Sequence, residues 1–358
     1  MKPIYQVYGN DAHSMTMQLM EAAKVADLIP SKNASIALKP NLVCATPPES
    51  GATTHAGVLS GAIEYLQNNG FTNICIMEGS WVGDMTERAF RVCGYDRVCK
   101  TYNVPFYDLK KDETRAMNSP VGPIAVCRRA LETDFLIDLP VLKGHCQTLM
   151  TCALKNLKGC ISDREKRHFH TLGLDKPIGA LASVLKPHLI IVDSICGDLD
   201  FEEGGTPVQT DRMMLGFDPV QMDAYCCQLL GLPLSDVPHI TFAEKWGGGS
   251  TKVDEKDIIC LNEPQAGKNA HRPTGKVAGL TRNVKQDRAC SACFANLVRA
   301  LYATGAGSRT PIYIGQGWKD QPVDGLGIGR CVNCASQQIP GCPPTADAIA
   351  QYLMDNDL

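Results

Sequence analysis

The strongest constraint on the fold is a rhythm in which short apolar runs alternate with amphipathic helical patterns over roughly the first 250 residues. The apolar runs predict strands over 4–8, 35–38, 74–77, 104–109, 124–126, 135–139 and 189–192. Residues that recur every three to four positions predict helices over 13–26, 86–93, 178–185 and 220–230. Because the strands are apolar almost throughout, they predict an α/β fold with a mainly parallel sheet covered by helices.

The clearest helix follows two threonines. Thr53 or Thr54 is expected to cap its amino end, and Gly70 is expected to end it. One face of this helix carries the apolar side chains Val58, Leu59, Ala62, Ile63 and Leu66.

The rhythm weakens beyond about residue 252, where Gly, Pro, Asn and charged residues dominate the stretch 262–288. We therefore expect an α/β domain over 1–251, a connector over 252–288 and a smaller cysteine-rich region over 289–358. No repeat of fixed period and no low-complexity tract is visible in the sequence.

Composition and charge argue against several classes of protein. The longest apolar stretches fall far short of the roughly 20 residues that span a bilayer, so no membrane helix is expected. The first residues lack the pattern of a secretory signal, which predicts a cytoplasmic protein. A net charge of -3 with interspersed signs predicts binding neither to nucleic acid nor to an anionic membrane surface.

The chain has 17 cysteines, an odd number for a disulfide framework in a protein without an export signal. Reduced thiols and metal ligation fit better. Five of the cysteines stand in the last 69 residues with ligand-like spacing: Cys290, Cys293, Cys331, Cys334 and Cys342. The other twelve lie in apolar periodic segments, where a buried apolar side chain is the expected role.

The five carboxy-terminal cysteines form two C-x-x-C pairs and one cysteine in the segment IPGCPP. A C-x-x-C pair lets two thiolates face one metal centre from a tight turn, which is typical of iron–sulfur and zinc sites. A structural zinc site needs no fifth thiolate, and the prolines stiffen the loop around Cys342. The spacing therefore favours an iron–sulfur cluster, with zinc and unligated structural thiols as the alternatives.

The segment IPGCPPTADAIAQYL resembles the cluster-binding stretch of the nickel–iron hydrogenase small subunit and of the cluster-bearing subunit of respiratory complex I. In those families the GCPP cysteine ligates a [4Fe–4S] cluster. The resemblance is local and covers about fifteen residues. With the spacing, it implies one [4Fe–4S] cluster on Cys290, Cys293, Cys331 and Cys342, with Cys334 as an alternate ligand.

Polar residues follow several of the predicted strands, where ligand sites of open α/β sheets form. If the sheet is parallel, they converge on one edge. These residues are Lys39, Asn41, Glu78, Ser80, Lys143, His145 and Asp193.

Further candidates stand in three loops or turns. Lys155, Asn156 and Lys158 in ALKNLKG suit an anion or a carboxylate, although solvated surface charge is the other interpretation, weighed equally for Lys158. His168 and His170 would bind metal or phosphate, or form an ordinary surface pair. The glycine pair of EEGGTP, Gly204 and Gly205, would let a ligand approach the backbone or would simply form a tight turn. No dinucleotide or P-loop fingerprint follows a strand.

Several motifs occur in an order that resembles the domain of unknown function family 362: KPNLV, LPVLKGH, ALKNLKG, KRHFH, EGGTP and DPVQMDAYCCQLLG. The resemblance runs from about Lys39 to Gly249. It implies a cytoplasmic α/β protein of a kind frequent in anaerobes, with an iron–sulfur centre in many members. Many relatives carry a ferredoxin-like insert with C-x-x-C-x-x-C runs, which this chain lacks, so one cluster is expected here.

Three functions remain open. The leading hypothesis is a redox enzyme in which the cluster passes single electrons to a small anionic substrate. Lys143, His145 and Lys155 would orient the substrate, and His145 or His168 would supply a proton. The substrate would also be bound by Lys39, Asn41, Glu78, Ser80, Asn156, Lys158, His170, Asp193, Gly204 and Gly205.

The first alternative is a non-catalytic electron carrier or maturation factor that docks on a larger oxidoreductase. The second alternative is a non-redox lyase or isomerase in which the cluster is structural. The expected partners are an electron donor or acceptor protein and a small anionic substrate, with no nucleic acid and no membrane.

Overall fold

The computed structural model describes residues 2–145, 147–198, 207–263, 279–287, 289, 291–305 and 310–356. The chain divides into two compact units. The α/β unit comprises Met1–Lys166 and Leu174–Arg272, and the C-terminal unit comprises Arg167–Gly173 and Pro273–Leu358.

The strands of the described residues are β1 (Ile4–Tyr8), β2 (Ile36–Pro40), β3 (Ile74–Glu78), β4 (Phe106–Asp108), β5 (Thr114–Met117), β6 (Ile124–Cys127), β7 (Phe135–Leu139), β8 (Lys143–His145), β9 (Leu149–Thr151), β10 (Leu189–Asp198), β11 (Pro207–Gly216), β12 (Ile258–Cys260), β13 (Val284–Gln286), β14 (Ile312–Ile314), β15 (Val323–Ile328) and β16 (Ala335–Ile339). The α-helices are α1 (Ala12–Ala22), α2 (Ala56–Asn68), α3 (Thr86–Val92), α4 (Tyr95–Tyr102), α5 (Arg128–Glu132), α6 (Ala153–Asn156), α7 (Asp163–Leu172), α8 (Asp175–Val184), α9 (Pro219–Leu230), α10 (Pro238–Lys245), α11 (Ser291–Thr304) and α12 (Ala346–Asp355). Short 3₁₀ segments span Val25–Leu28, Pro48–Ser50, Leu109–Lys111, Leu157–Cys160, Leu234–Asp236, Glu255–Asp257 and Gln316–Trp318.

The α/β unit is built on an eight-stranded sheet with the order β12-β1-β11-β10-β7-β2-β3-β4. Neighbouring strands from β4 to β10 are parallel, and β1 is parallel to β12. Strand β11 is antiparallel to both of its neighbours. The predicted α/β fold with a mainly parallel, helix-covered sheet is therefore confirmed.

The two faces of the sheet carry different kinds of side chain. On one face, Ile36 and Leu38 of β2 and Ile137 of β7 join a core with the apolar side chains of α1, α2 and α4. Because side chains alternate along a strand, Lys39 and Asp138 point to the opposite face. Both of them are fully buried there, so ionisable groups lie within the second layer of the fold.

The amino end of α2 differs from the sequence prediction. The helix begins at Ala56 with His55 as its N-cap, and no side chain caps it. Thr54 Oγ1 instead donates to Leu139 O at 2.7 Å and accepts from Asn41 N at 2.9 Å. The predicted threonine cap is therefore wrong, because the hydroxyl group ties together the ends of β2 and β7.

The predicted strand over 124–126 and a strand that was not predicted, β8, belong to hairpins. β6 pairs with β5, and β8 pairs with β9, each in a separate antiparallel two-stranded sheet. Lys143 and His145 therefore lie in a short hairpin strand that follows β7. Strand β10 is longer than predicted and continues to Asp198, so Asp193 lies inside it.

The C-terminal unit contains a four-stranded sheet with the order β13-β14-β15-β16, and all of its neighbours are parallel. The helices α11 and α12 pack against each other. Among the described residues of the whole chain, no helix combines the length and the apolar character needed to cross a membrane.

Candidate functional site

A buried ion pair joins the ends of two central strands. Lys39 Nζ lies 2.5 Å from Glu78 Oε2 and also donates to Pro40 O at 3.0 Å. Burial opposes the charge on Lys39, but the acidic groups around it, Glu78 first among them, together outweigh burial and raise the pKa of the lysine. Lys39 is therefore a charged group without access to solvent. We use the name Lys39 cluster for Lys39, Glu78, Asp138, Asn156, Gly159 and Lys166.

The glycine of ALKNLKG makes room for this ion pair. A Cβ at Gly159 would collide with Glu78 Oε1 and would stand 2.8 Å from Lys39 Cε. The 3₁₀ segment Leu157–Cys160 therefore approaches the strand ends closely only because residue 159 has no side chain.

Asp138 is the unusual member of the Lys39 cluster. Asn156 Nδ2 donates to its Oδ1 at 2.8 Å, whereas Oδ2 has no hydrogen-bond partner among the described residues. Burial raises the pKa of Asp138 to about 8, although the Lys39 ammonium group opposes the shift. At neutral pH this carboxyl group is therefore mostly protonated.

Lys166 closes the same cluster from α7. Its Nζ donates to Gly79 O at 2.9 Å and to Ser80 O at 2.8 Å. Burial lowers the pKa of Lys166, with Asp163 acting in the opposite direction. Ser80, predicted to bind substrate, is itself buried, and its hydroxyl group lies 3.1 Å from Thr86 Oγ1.

A second group, the His55 cluster, lies at the same edge and comprises Asn41, Ala52, His55, Lys143 and Asp193. Lys143 Nζ donates to Ala52 O at 2.6 Å and lies 3.4 Å from Asn41 Oδ1. His55 Nδ1 lies 2.8 Å from Asp193 Oδ2, which also accepts from His55 N at 2.8 Å. Three predicted site residues are thus brought together around a histidine that the sequence analysis missed.

His55 is the member of this cluster whose side chain reaches solvent. Its side chain is 18% exposed, whereas Asp193 and Lys143 are 0% exposed. Burial would lower the pKa of His55, but the Asp193 carboxylate outweighs burial and raises it. A histidine oriented through Nδ1 by a buried carboxylate is suited to proton transfer at its other nitrogen.

His145 and the lysines of ALKNLKG lie in different surroundings. His145 is buried, and its Nδ1 accepts from Gln147 N and Thr148 N, each at 3.0 Å, in the turn between β8 and β9. Lys155 is buried on α6, and Lys158 is half-buried in the following 3₁₀ segment.

A second missed histidine, His239, lies near Lys155. It is fully buried on α10, and its Nδ1 lies 3.2 Å from Asp175 Oδ1. Burial lowers the pKa of His239, with Asp175 opposing the shift and the Lys155 charge adding to it. His239 is therefore a neutral core histidine at neutral pH.

The histidines of KRHFH do not share a face. They lie two positions apart on helix α7, where successive side chains turn by about 100°. His168 is exposed and His170 is buried, and both belong to the C-terminal unit. The predicted glycines Gly204 and Gly205 lie outside the described residues.

The cysteine-bearing loops of the C-terminal unit follow the carboxyl ends of three parallel strands. Cys293 lies in the first turn of α11, after β13, while Cys331 and Cys342 follow β15 and β16. Arg330 N donates to Gly341 O at 2.9 Å, which holds the last two loops together. A Cβ at Gly329 would lie 3.5 Å from Cys293 Sγ, so the first loop reaches the same place.

Cys334 lies at the other end of β15. Its carbonyl group accepts from Val323 N, the first residue of that strand. Five strand residues lie between Val323 and Gly329, which corresponds to at most about 20 Å. The second C-x-x-C pair is therefore spread along the connection from β15 to β16 rather than closed into one tight turn.

The side chains do not form a complete metal site in the part of the chain that the structure describes. No three His, Cys, Asp or Glu side chains there group closely enough to hold a metal ion. Cys290, a member of the expected ligand set, lies outside the described residues. Cys293 and Cys331 are half-buried, and Cys342 is exposed.

Comparison with known proteins finds a family, a curated relative and solved structures that resemble this chain. A family model described as "Domain of unknown function (DUF362)" matches residues 36–228, more than half of the chain. A thylakoid-associated protein from Synechocystis sp. is 24% identical over 233 residues, which cover 61% of this chain and 70% of that protein. The lactate racemase apoprotein from Thermoanaerobacterium thermosaccharolyticum matches with a TM-score of 0.44 and 14% identity, covering 65% of this chain and 57% of that one.

Proposed function

Given that the chain belongs to the DUF362 family, we propose that it is an iron–sulfur oxidoreductase that delivers single electrons to a small anionic substrate. Cys290, Cys293, Cys331 and Cys342 would hold one [4Fe–4S] cluster in the C-terminal unit. The substrate would bind at the His55 cluster of the α/β unit.

The observation that carries this proposal is the convergence of cysteine-bearing loops at one edge of the four-stranded sheet. Ligand sites form beyond the carboxyl ends of parallel strands, and Cys293, Cys331 and Cys342 all follow such ends. The missing Cβ of Gly329 leaves space beside Cys293 Sγ. Thiolates are the ligands that iron–sulfur clusters take in proteins, so the donor set fits the group.

When bound, such a cluster supplies one-electron chemistry at a potential set by its surroundings. The residues of the α/β unit would supply the proton. Protonated His55, held by Asp193, would donate from its outer nitrogen to the reduced substrate. The buried ammonium group of Lys143 in the same cluster favours an anion over a cation.

The first experiment measures iron, acid-labile sulfide and zinc in protein purified without oxygen, with an electron paramagnetic resonance spectrum after dithionite. We expect about four irons and four sulfides per chain. Cys293→Ala should lose them and Cys334→Ala should keep them, because Cys334 lies at the opposite end of β15. Circular dichroism checks that both variants are folded. Stoichiometric zinc without sulfide in the wild type would refute the proposal and make this region a structural zinc site.

A non-redox lyase or isomerase is the second candidate, and the His55–Asp193 pair favours it because proton transfer needs no electron donor. Turnover that is equal in the oxidised and reduced protein and is lost in His55→Gln would support this candidate over the first.

A non-catalytic electron carrier is the third candidate, favoured by the exposure of Cys342. A carrier would show a one-electron potential, no turnover by itself, and copurification with an oxidoreductase.

A further inference from the structure

A cavity of about 410 Å³ opens in the α/β unit at the edge of the eight-stranded sheet opposite to the Lys39 and His55 clusters. Lys2 stands just before β1, Lys186 stands shortly before β10, and Phe217 follows β11. The cavity therefore lies at the amino ends of parallel strands, away from the site proposed above.

The wall of this cavity carries an excess of positive charge. Three lysines line it, Lys2, Lys186 and Lys252, together with one carboxylate, that of Asp218. The Asp218 oxygens accept from three backbone N–H groups at 2.8 to 3.1 Å, two at the start of α9 and one at Ser250. Asp218 therefore neutralises the amino end of the helix and leaves an excess of lysine charge.

Gly248 and Gly249 are part of this wall. A Cβ at Gly249 would collide with Asp218 Oδ1, so the backbone approaches the carboxylate only because residue 249 has no side chain. Lys186 Nζ donates to Gly247 O. These contacts hold the backbone of residues 247–249 against the cavity.

A buried amide group in the wall points to a ligand. Gln221 lines the cavity, its side chain is 3% exposed, and its Nε2 has no hydrogen-bond partner among the described residues. A buried donor left without an acceptor costs on the order of 1–3 kcal/mol. A bound molecule with an acceptor oxygen would remove this cost.

The remaining wall is largely apolar. Phe217 provides an aromatic ring, and Lys2 Nζ lies 5.3 Å from its centroid. Two prolines complete this side of the cavity, Pro187 and Pro219. Apolar walls with a few placed polar groups are typical of small-molecule sites, and the volume lies in the usual range.

We propose that this cavity binds a small organic acid with a flat apolar body. The body packs on Phe217 and the prolines, while the acid group lies among the lysines and accepts from Gln221. This site is separate from the proposed iron–sulfur cluster and from the residues of the His55 cluster.

The test is a calorimetric titration with benzoate and phenyl phosphate, using benzyl alcohol as a neutral probe of similar shape. Both anions should saturate one site, and benzyl alcohol should bind at least roughly tenfold more weakly. Lys252→Glu should weaken anion binding by roughly tenfold, whereas Lys100→Glu, an exposed lysine on α4, should not change it.

Nuclear magnetic resonance of the Gln221 side-chain amide provides a second readout, because a new acceptor should shift its two N–H signals. Failure of both anions to bind would overturn the proposal. Equal binding of benzyl alcohol, or anion binding that Lys252→Glu leaves unchanged, would also overturn it. The iron content of each sample is measured, so a missing cluster and a missing organic-acid site give separate results.

Discussion

The two sheets place polar or thiol groups after the carboxyl ends of parallel strands, but they bury them differently. In the α/β unit, Lys39 and Lys143 are fully buried, and their ammonium groups donate to groups of the protein itself. In the C-terminal unit, Cys293 and Cys331 are half-buried and Cys342 is exposed. Strand order therefore predicts where such residues gather, whereas burial decides whether they stabilise the fold or remain accessible to a ligand.

The largest expected effect is on the Lys39–Glu78 ion pair. Lys39→Met should lower the free energy of unfolding of the α/β unit by about 3–5 kcal/mol, because it leaves Glu78 buried without its partner. Urea unfolding followed by circular dichroism measures the change. Bound iron per folded chain should stay the same.

The double variant Lys39→Met with Glu78→Leu is the matched control. It should recover most of the lost free energy, because no unpaired charge remains in the interior. Equal losses in the single and double variants would contradict a stabilising ion pair at this edge.

A smaller loss is expected at Gly159. Gly159→Ala should lower the free energy of unfolding by about 1–3 kcal/mol, because the new Cβ collides with Glu78 Oε1. In a Glu78→Ala background the same substitution should cost less, since the nearest colliding atom is gone and only the close approach to Lys39 Cε remains. An unchanged cost in that background would show that the collision is not the cause.

Removal of the proposed [4Fe–4S] cluster should affect only the C-terminal unit. Oxidation and chelation should increase hydrogen exchange at 329–331 and 340–342 by at least about tenfold, roughly 1.4 kcal/mol. Exchange in β2 and β7 should not change. Mass spectrometry of peptic peptides measures both regions, and equal changes in both would contradict separate roles for the two edges.

The smallest effect is on the pH dependence of the free energy of unfolding, to which His55 and His239 contribute with opposite signs. The pKa of His55 is raised in the folded state, so its contribution is present below about pH 6.5 and is lost as the pH rises through the folded pKa. The pKa of His239 is lowered, so its contribution is present above about pH 6.5 and is lost as the pH falls.

His55→Gln and His239→Gln should each remove one of these two pH dependences of the free energy of unfolding. Each dependence amounts to about 1.4 kcal/mol for each unit of pKa shift. Unfolding in urea between pH 5 and pH 8 measures them. Slopes of the same sign would contradict the assigned surroundings.

Sequence reasoning succeeded where local pattern decides structure. Apolar runs located β2, β3 and β7, and the same runs explain why each of these strands lies between two neighbours in the sheet. It failed at Thr54, whose hydroxyl group binds a strand end far along the chain instead of capping α2. A local capping rule does not include a competing partner 85 residues away.

His55 was missed for a related reason. Its partner, Asp193, stands 138 residues later, and no motif joins the two. Cys334 shows that close spacing in the sequence can also give a wrong prediction. It has ideal spacing from Cys331, yet the connection to β16 carries it to the other end of β15. Spacing in sequence predicts proximity only within one turn or one helix.

The protonated carboxyl group of Asp138 affects how folding exchanges protons with the solvent. An unfolded aspartate is ionised at pH 7, whereas this one has a pKa of about 8 in the fold. Folding at neutral pH therefore takes up a proton from the solution. The measured heat of unfolding should then vary with the ionisation enthalpy of the buffer, and Asp138→Asn should abolish the part of that variation due to this residue.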